Sequence, residues 1–235
     1  MEKLLSELLR LYLAPDAAAH ERLERHLRGQ EVLAVPDEDG ATRAIAIPFE
    51  QPAEGGDAHW SALCELASVL QVRFGFPAPA VSISGASGYR LWVSLDTPVP
   101  AAEARQFVQL LGRAPGSGPE PLPPCLHPAS GKWAAFINPG MGASFIEEPG
   151  LDFAPPLAAQ AAFLEGLDST SLTLFRQALR ALAPAPQAAP SLAPQPGAAT
   201  ADGLLLRDAT LEDIVRHLHR MNIEPTFRHL LPRAD

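Results

Sequence analysis

The sequence predicts an α+β domain with a mixed or antiparallel sheet flanked by helices, plus a C-terminal helix on a linker. Three observations predict it. Segments with apolar residues at helical spacing are interleaved with short runs that alternate with period two. Turn residues separate the short runs in pairs, as in hairpins. The resulting order is helices, hairpin, helix, hairpin, helix, short strand, helices, an order typical of α+β domains.

Leu4, Leu5, Leu8, Leu9, Leu11 and Leu13 form a helical stripe over residues 2–13. Pro15 and Asp16 open a second helix over 17–27, and Gly29 stops it. QEVLAV (30–35) reads as a strand, PDEDGAT as a turn and RAIAIPF (43–49) as its hairpin partner. Alternation puts Ala44, Ala46 and Pro48 on one face and Ile45, Ile47 and Phe49 on the other. Pro48 has no N–H to give a ladder, so this strand ends there or lies at an edge. DAHWSALCELASVLQVRFG (57–75) is a helix with Trp60, Leu63, Cys64, Ala67, Leu70 and Phe74 on its apolar face. Cys64 is therefore expected to be a buried small hydrophobe. PAVSIS and YRLWVSL are strands around a Gly-Ala-Ser-Gly turn, and residues 100–112 form a helix bounded by proline and glycine. Residues 113–124 read as loop, KWAAFI (132–137) as a short strand, and 155–167 and 169–182 as helices, the second capped by Ser169 or Thr170.

Residues 184–201, PAPQAAPSLAPQPGAATA, are proline-rich with little apolar surface to bury and read as flexible linker. ATLEDIVRHLHRMNI beyond it has Thr210 as N-cap and a stripe of Leu211, Ile214, Val215, Leu218, Met221 and Ile223. The division is N-terminal helices 1–29, α+β core 30–182, linker 183–201 and C-terminal helical segment 202–235.

The chain has 235 residues, a formal net charge of −9 and 25 prolines, about twice the usual proline share. The acidic balance argues against nonspecific gripping of duplex nucleic acid, though a local basic groove remains compatible with it. Cys64 and Cys125 have neither metal-ligand nor disulfide-framework spacing. The charged N-terminus reads as an amphipathic helix without a signal-peptide cleavage site, and no apolar run is long enough for a membrane span, so a cytoplasmic protein is expected. His217 and His219 point to different helix faces, and with His229 they read as solvated residues. Trp92 reads as packing, and Trp133 as a sheet platform or a base-stacking residue.

Residues 26–50, HLRGQEVLAVPDEDGATRAIAIPFE, together with SGASGYRLW (84–92) and TPVPAAEAR (97–105), resemble in order and spacing the catalytic core of the archaeo-eukaryotic primase superfamily. The resemblance covers about residues 20–112 and is closest to bacterial primases of TOTE-type conflict systems. PPCLHPASGKWAAFI (123–137) resembles a further segment near the primase nucleotide site, with His127, Ser130, Gly131 and Lys132 matching. The resemblance implies a primase-like core that binds DNA, another nucleic acid or a nucleotide, with Ser84, Gly85, Gly88, Arg90, His127, Ser130 and Lys132 as nucleotide- or phosphate-binding residues. It also implies two strand carboxylates holding divalent metals. Here Pro48 and Glu50 stand at those positions, and Arg90 stands where the family has a nucleotide-contacting histidine. Proline brings no ligand and Glu50 alone is a degenerate metal site, so the expectation is a pseudoenzyme with no catalytic residue, an accessory in replication, repair or mobile-element conflict. One alternative is an active nucleotidyltransferase using Mg or Mn through relocated ligands such as Asp96 or Asp57. Asp37, Glu38 and Asp39 lie at the far end of the strand. The other alternative is a scaffold whose C-terminal helix docks a protein partner. An arginine suits a phosphate, and a basic groove of Arg43, Arg90 and Lys132 would favour binding.

Overall fold

The computed structural model describes residues 1–13, 17–35, 40–116, 118–183 and residue 219. The chain divides into two units, Met1–Ala185 and Pro186–Asp235. The linker and the C-terminal helix expected after residue 183 lie outside the described residues, except His219, which is exposed.

The first unit is α+β. In chain order it contains α1 (Glu2–Tyr12), α2 (Ala17–Leu27), β1 (Ala34–Val35), β2 (Ala41–Glu50), α3 (Ala58–Phe74), β3 (Ala80–Ile83), β4 (Gly88–Pro100), α4 (Ala101–Leu110), β5 (Glu120–Pro121), β6 (Cys125–Leu126), β7 (Trp133–Ile137), a 3-10 helix (Pro139–Phe145), α5 (Leu157–Glu165) and α6 (Leu172–Leu182). Five strands form an antiparallel sheet in the order β2-β4-β3-β7-β6, and β1 and β5 form a separate ribbon.

Helices cover both faces of the large sheet. Ile45, Ile47 and Phe49 of β2, with Tyr89, Leu91, Val93 and Leu95 of β4, meet Leu63, Leu66 and Leu70 of α3, Phe107 of α4 and Phe175 of α6. The opposite face presents Ala44, Ala80, Trp92 and Phe136 to Leu4, Leu8 and Leu11 of α1, Leu23 of α2, and Ala161 and Leu164 of α5. The two faces of β2 are thus those its alternation predicts. β2 is an edge strand, where Pro48 costs the sheet least.

Where β6 ends, Phe136 of β7 has no strand partner among the described residues on its outer side, and a side chain completes its pairing. The Phe136 N–H donates to Gln160 Oε1 (2.8 Å), and Gln160 Nε2 donates back to the Phe136 carbonyl (2.9 Å). Gln160 is buried on α5, so both of its polar ends must be met.

Four sequence expectations are corrected. The hairpin of 30–35 with 43–49 does not form: β1 pairs with β5, and β2 pairs with β4. The buried stripe of α3 runs through His59, Leu63, Leu66 and Leu70, which turns Cys64 out to solvent. The cap of α6 is Ser171, whose side chain accepts from the Leu174 N–H. Thr170 is held extended against β4, its N–H donating to the Ser94 carbonyl and its carbonyl accepting from the Asp96 N–H, so the helix starts one residue later. Residues 113–124, read as loop, contain β5.

Candidate functional site

The second face of the sheet is only half covered by helices. Trp92 and Phe136 lie under α1 and α5, whereas Ser82, Arg90 and Ala134, on the same face, floor an open cleft. In register, Pro48 stands opposite Arg90, Arg90 opposite Ser82, and Ser82 opposite Phe136. The roof is the β1–β5 region, with Val32, Glu120, Pro121 and Pro123, and the far wall is Cys125 to Pro128. The cleft holds about 390 Å³. Its apolar walls with a few convergent polar groups are the usual make-up of a small-molecule site.

Two segments distant in sequence meet at one end of the cleft. Ser130 Oγ donates to the Gly85 carbonyl (2.5 Å), and the Ser130 N–H donates to His127 Nδ1 (3.3 Å). The glycines of the turn serve close backbone contacts. A Cβ on Gly85 (φ 76°) would lie 3.0 Å from Ala134 N and the Lys132 carbonyl, and one on Gly88 (φ 154°) would lie 2.1 Å from the Phe49 carbonyl. The turn's N–H groups are likewise taken. Those of Ala86, Ser87 and Gly88 donate to Ser84 Oγ, and that of Gly85 donates to the Pro149 carbonyl. The turn is thus a structural joint, with its backbone donors directed inward.

The charges are closely matched. Arg90 Nη2 lies 3.0 Å from Glu50 Oε1, and Nε lies 2.7 Å from Glu120 Oε1 at an angle too bent for a hydrogen bond. Nη1 donates to the Tyr89 carbonyl (3.0 Å), and the Ser87 hydroxyl donates to Glu50. Burial holds the Glu120 carboxyl above the usual range, partly offset by the Arg90 guanidinium. Lys132 is paired with Glu148 and lies 3.5 Å from Asp152. Each of these two cations therefore faces two carboxylates. Arg43 does not join them. Its Nε donates to the Leu95 carbonyl (2.8 Å), and Nη1 donates to that of Leu13 (3.3 Å), so Arg43, Arg90 and Lys132 do not form the shared basic groove that would have favoured binding.

All eight residues expected at the site gather around this end of the sheet. Ser84, Arg90 and His127 line the cleft. Gly85, Gly88, Ser130, Lys132 and Glu50 are tied to them by the contacts above. Sequence reasoning missed Glu120, which stands 30 positions from Arg90 in a two-residue strand with no periodicity to mark it. It also missed Glu148 and Asp152.

The residues present do not fit the divalent ions implied by the primase resemblance. Pro48 has no side-chain ligand atom, and the Glu50 carboxylate is engaged by a guanidinium and a hydroxyl. The Cys125 thiol in the cleft wall is pushed up to about 12, chiefly by burial, and its soft sulfur is a poor ligand for a hard divalent ion. Asp96 accepts from the Leu172 N–H at the start of α6, and Asp57 stands at the start of α3. Among the described residues, no three His, Cys, Asp or Glu side chains are placed to share a metal. Asp37, Glu38 and Asp39 lie outside the described residues. Trp92 is buried, its Nε1 donating to Ser82 Oγ (2.8 Å), and so packs as expected. No described helix is long and apolar enough to cross a membrane.

Fold and site together define an α+β protein with a polar-ended cleft on a half-covered antiparallel sheet. In comparison with known proteins, no family model matches the chain, and no curated protein matches it significantly.

Proposed function

We propose that the protein is a primase-like pseudoenzyme whose former catalytic cleft binds a nucleotide or the end of a nucleic acid strand without a divalent ion. One observation carries this reading. Residues singled out over positions 50–132 by their primase-like motifs converge on the mouth of one cleft of nucleotide-compatible size. Loss of catalysis follows from Pro48 and from the Glu50–Arg90 pair, which places a fixed cation where metal ligands would be needed. The scaffold alternative rests on residues beyond 183, outside those described.

A thermal-shift series on the full chain in EDTA tests the reading, using nucleoside mono- and triphosphates and a short single-stranded DNA. Ligand at about 100 times its Kd is expected to raise Tm by about 5 °C or more. No shift with any of them overturns the reading.

A further inference from the structure

Arg90, the cation in the cleft floor, already has an anion on it. Arg90 is the least exposed member of the triad, its side chain 11% accessible. Its two carboxylate partners differ in kind. Glu120 is 22% accessible and comes from the roof strand. Glu50 is 51% accessible, ends the edge strand β2, and among the described residues is otherwise held by the hydroxyl of Ser87 at the tip of the turn. A half-exposed ion pair contributes little net stability because water competes for both partners. The inner pair is shielded from that competition.

We propose that Glu50 is a displaceable stopper on Arg90. A phosphate-ester anion enters the cleft by taking the place of the Glu50 carboxylate on Nη2, while Glu120 keeps the guanidinium in position. The inference rests on the nucleotide-binding reading above and names the group that the cleft recognises. The exchange is chemically balanced. Glu50 moves into solvent, and the Ser87 hydroxyl it releases is free to donate to the incoming phosphate. A phosphate monoester carries more charge and more acceptor oxygens than the carboxylate it replaces, so it competes favourably for the same donors. Burial already holds the Glu120 carboxyl above its usual range, so a proton on that side of Arg90 costs less than on a solvated glutamate when a second anion arrives. Phosphate is thus recognised by side-chain exchange, since the turn's backbone N–H groups are committed to Ser84 Oγ and the Pro149 carbonyl.

Calorimetric titration in EDTA tests this with the full chain as wild type, Glu50→Gln, Arg90→Lys and the double variant. Arg90→Lys keeps the buried charge that Glu120 needs while removing the planar fork. The ligands are a nucleoside monophosphate, the matching nucleoside, and inorganic phosphate. Glu50→Gln is expected to bind the monophosphate about three- to tenfold more tightly than wild type, with nucleoside affinity unchanged. Arg90→Lys is expected to weaken monophosphate binding and to erase the Glu50→Gln gain in the double variant. A gain shared by inorganic phosphate supports recognition of the phosphate group alone, and a gain confined to the monophosphate supports recognition within a nucleotide. If wild type binds and Glu50→Gln binds no better, the stopper is overturned while the nucleotide reading stands. A gain that survives Arg90→Lys overturns the stopper too. Absence of binding by every variant overturns both.

Discussion

His26 works as a structural staple. It is buried near the end of α2, with Nδ1 accepting from the Leu33 N–H (3.0 Å) and Nε2 donating to the Leu122 carbonyl (2.8 Å). That pattern requires the neutral ring. Burial lowers its pKa below the ordinary histidine value, against the raising effects of the Leu122 carbonyl, the Glu31 backbone and the Glu31 charge. His59 is also buried and lowered by burial, with neither ring nitrogen in hydrogen-bond geometry to a partner. A histidine whose folded pKa lies below its unfolded value stabilises the fold fully above the unfolded value, about 6.5. That contribution is lost as pH falls through the window between the two values. Denaturant unfolding should therefore show stability falling as pH drops below about 6.5, with a shallower fall in His26→Gln. An equal slope in the variant would place the titration elsewhere.

Gln160 makes the corresponding point for elements. It closes the edge that the two-residue β6 leaves open on β7, so α5 is joined to the sheet by two hydrogen bonds as well as by Ala161 and Leu164. Gln160→Leu leaves a buried N–H and carbonyl unpaired and should destabilise the fold by about 2–4 kcal/mol, read from chemical denaturation with unchanged m-value. Long elements were legible in the sequence because each carries its own period. The α3 helix and the two faces of β2 are where the pattern puts them, although the α3 stripe is rotated enough to expose Cys64. The short strands β5 and β6 were not legible, and β1 was legible only as part of the strand expected over 30–35, with the wrong partner. Two residues carry no periodicity, and β1 finds its partner more than eighty positions away. Ser171 was missed as a cap because the bridge between Leu95 and Thr170, a tertiary contact, decides where α6 begins.

At the scale of the whole molecule, the cleft exists because one helical layer stops short. α1, α2 and α5 cover Trp92 and Phe136 but leave Ser82, Arg90 and Ala134 open beneath the β1–β5 ribbon. Sequence reasoning selected the residues around this opening, since Arg90, His127 and Lys132 fall in segments that resemble those of primases. It did not see the balance of charge among them. Glu120, Glu148 and Asp152 reach the cations only through folding, and they convert an apparent anion site into one whose cations are already paired. The same balance leaves the proposed anion site with no need of a divalent ion. Equilibrium titration of one nucleoside triphosphate into the full chain, first in EDTA and then with Mn²⁺, tests it most directly. The predicted result is binding in EDTA with an affinity that Mn²⁺ changes by less than about threefold, under 1 kcal/mol. Binding that arises only when Mn²⁺ is present would contradict it.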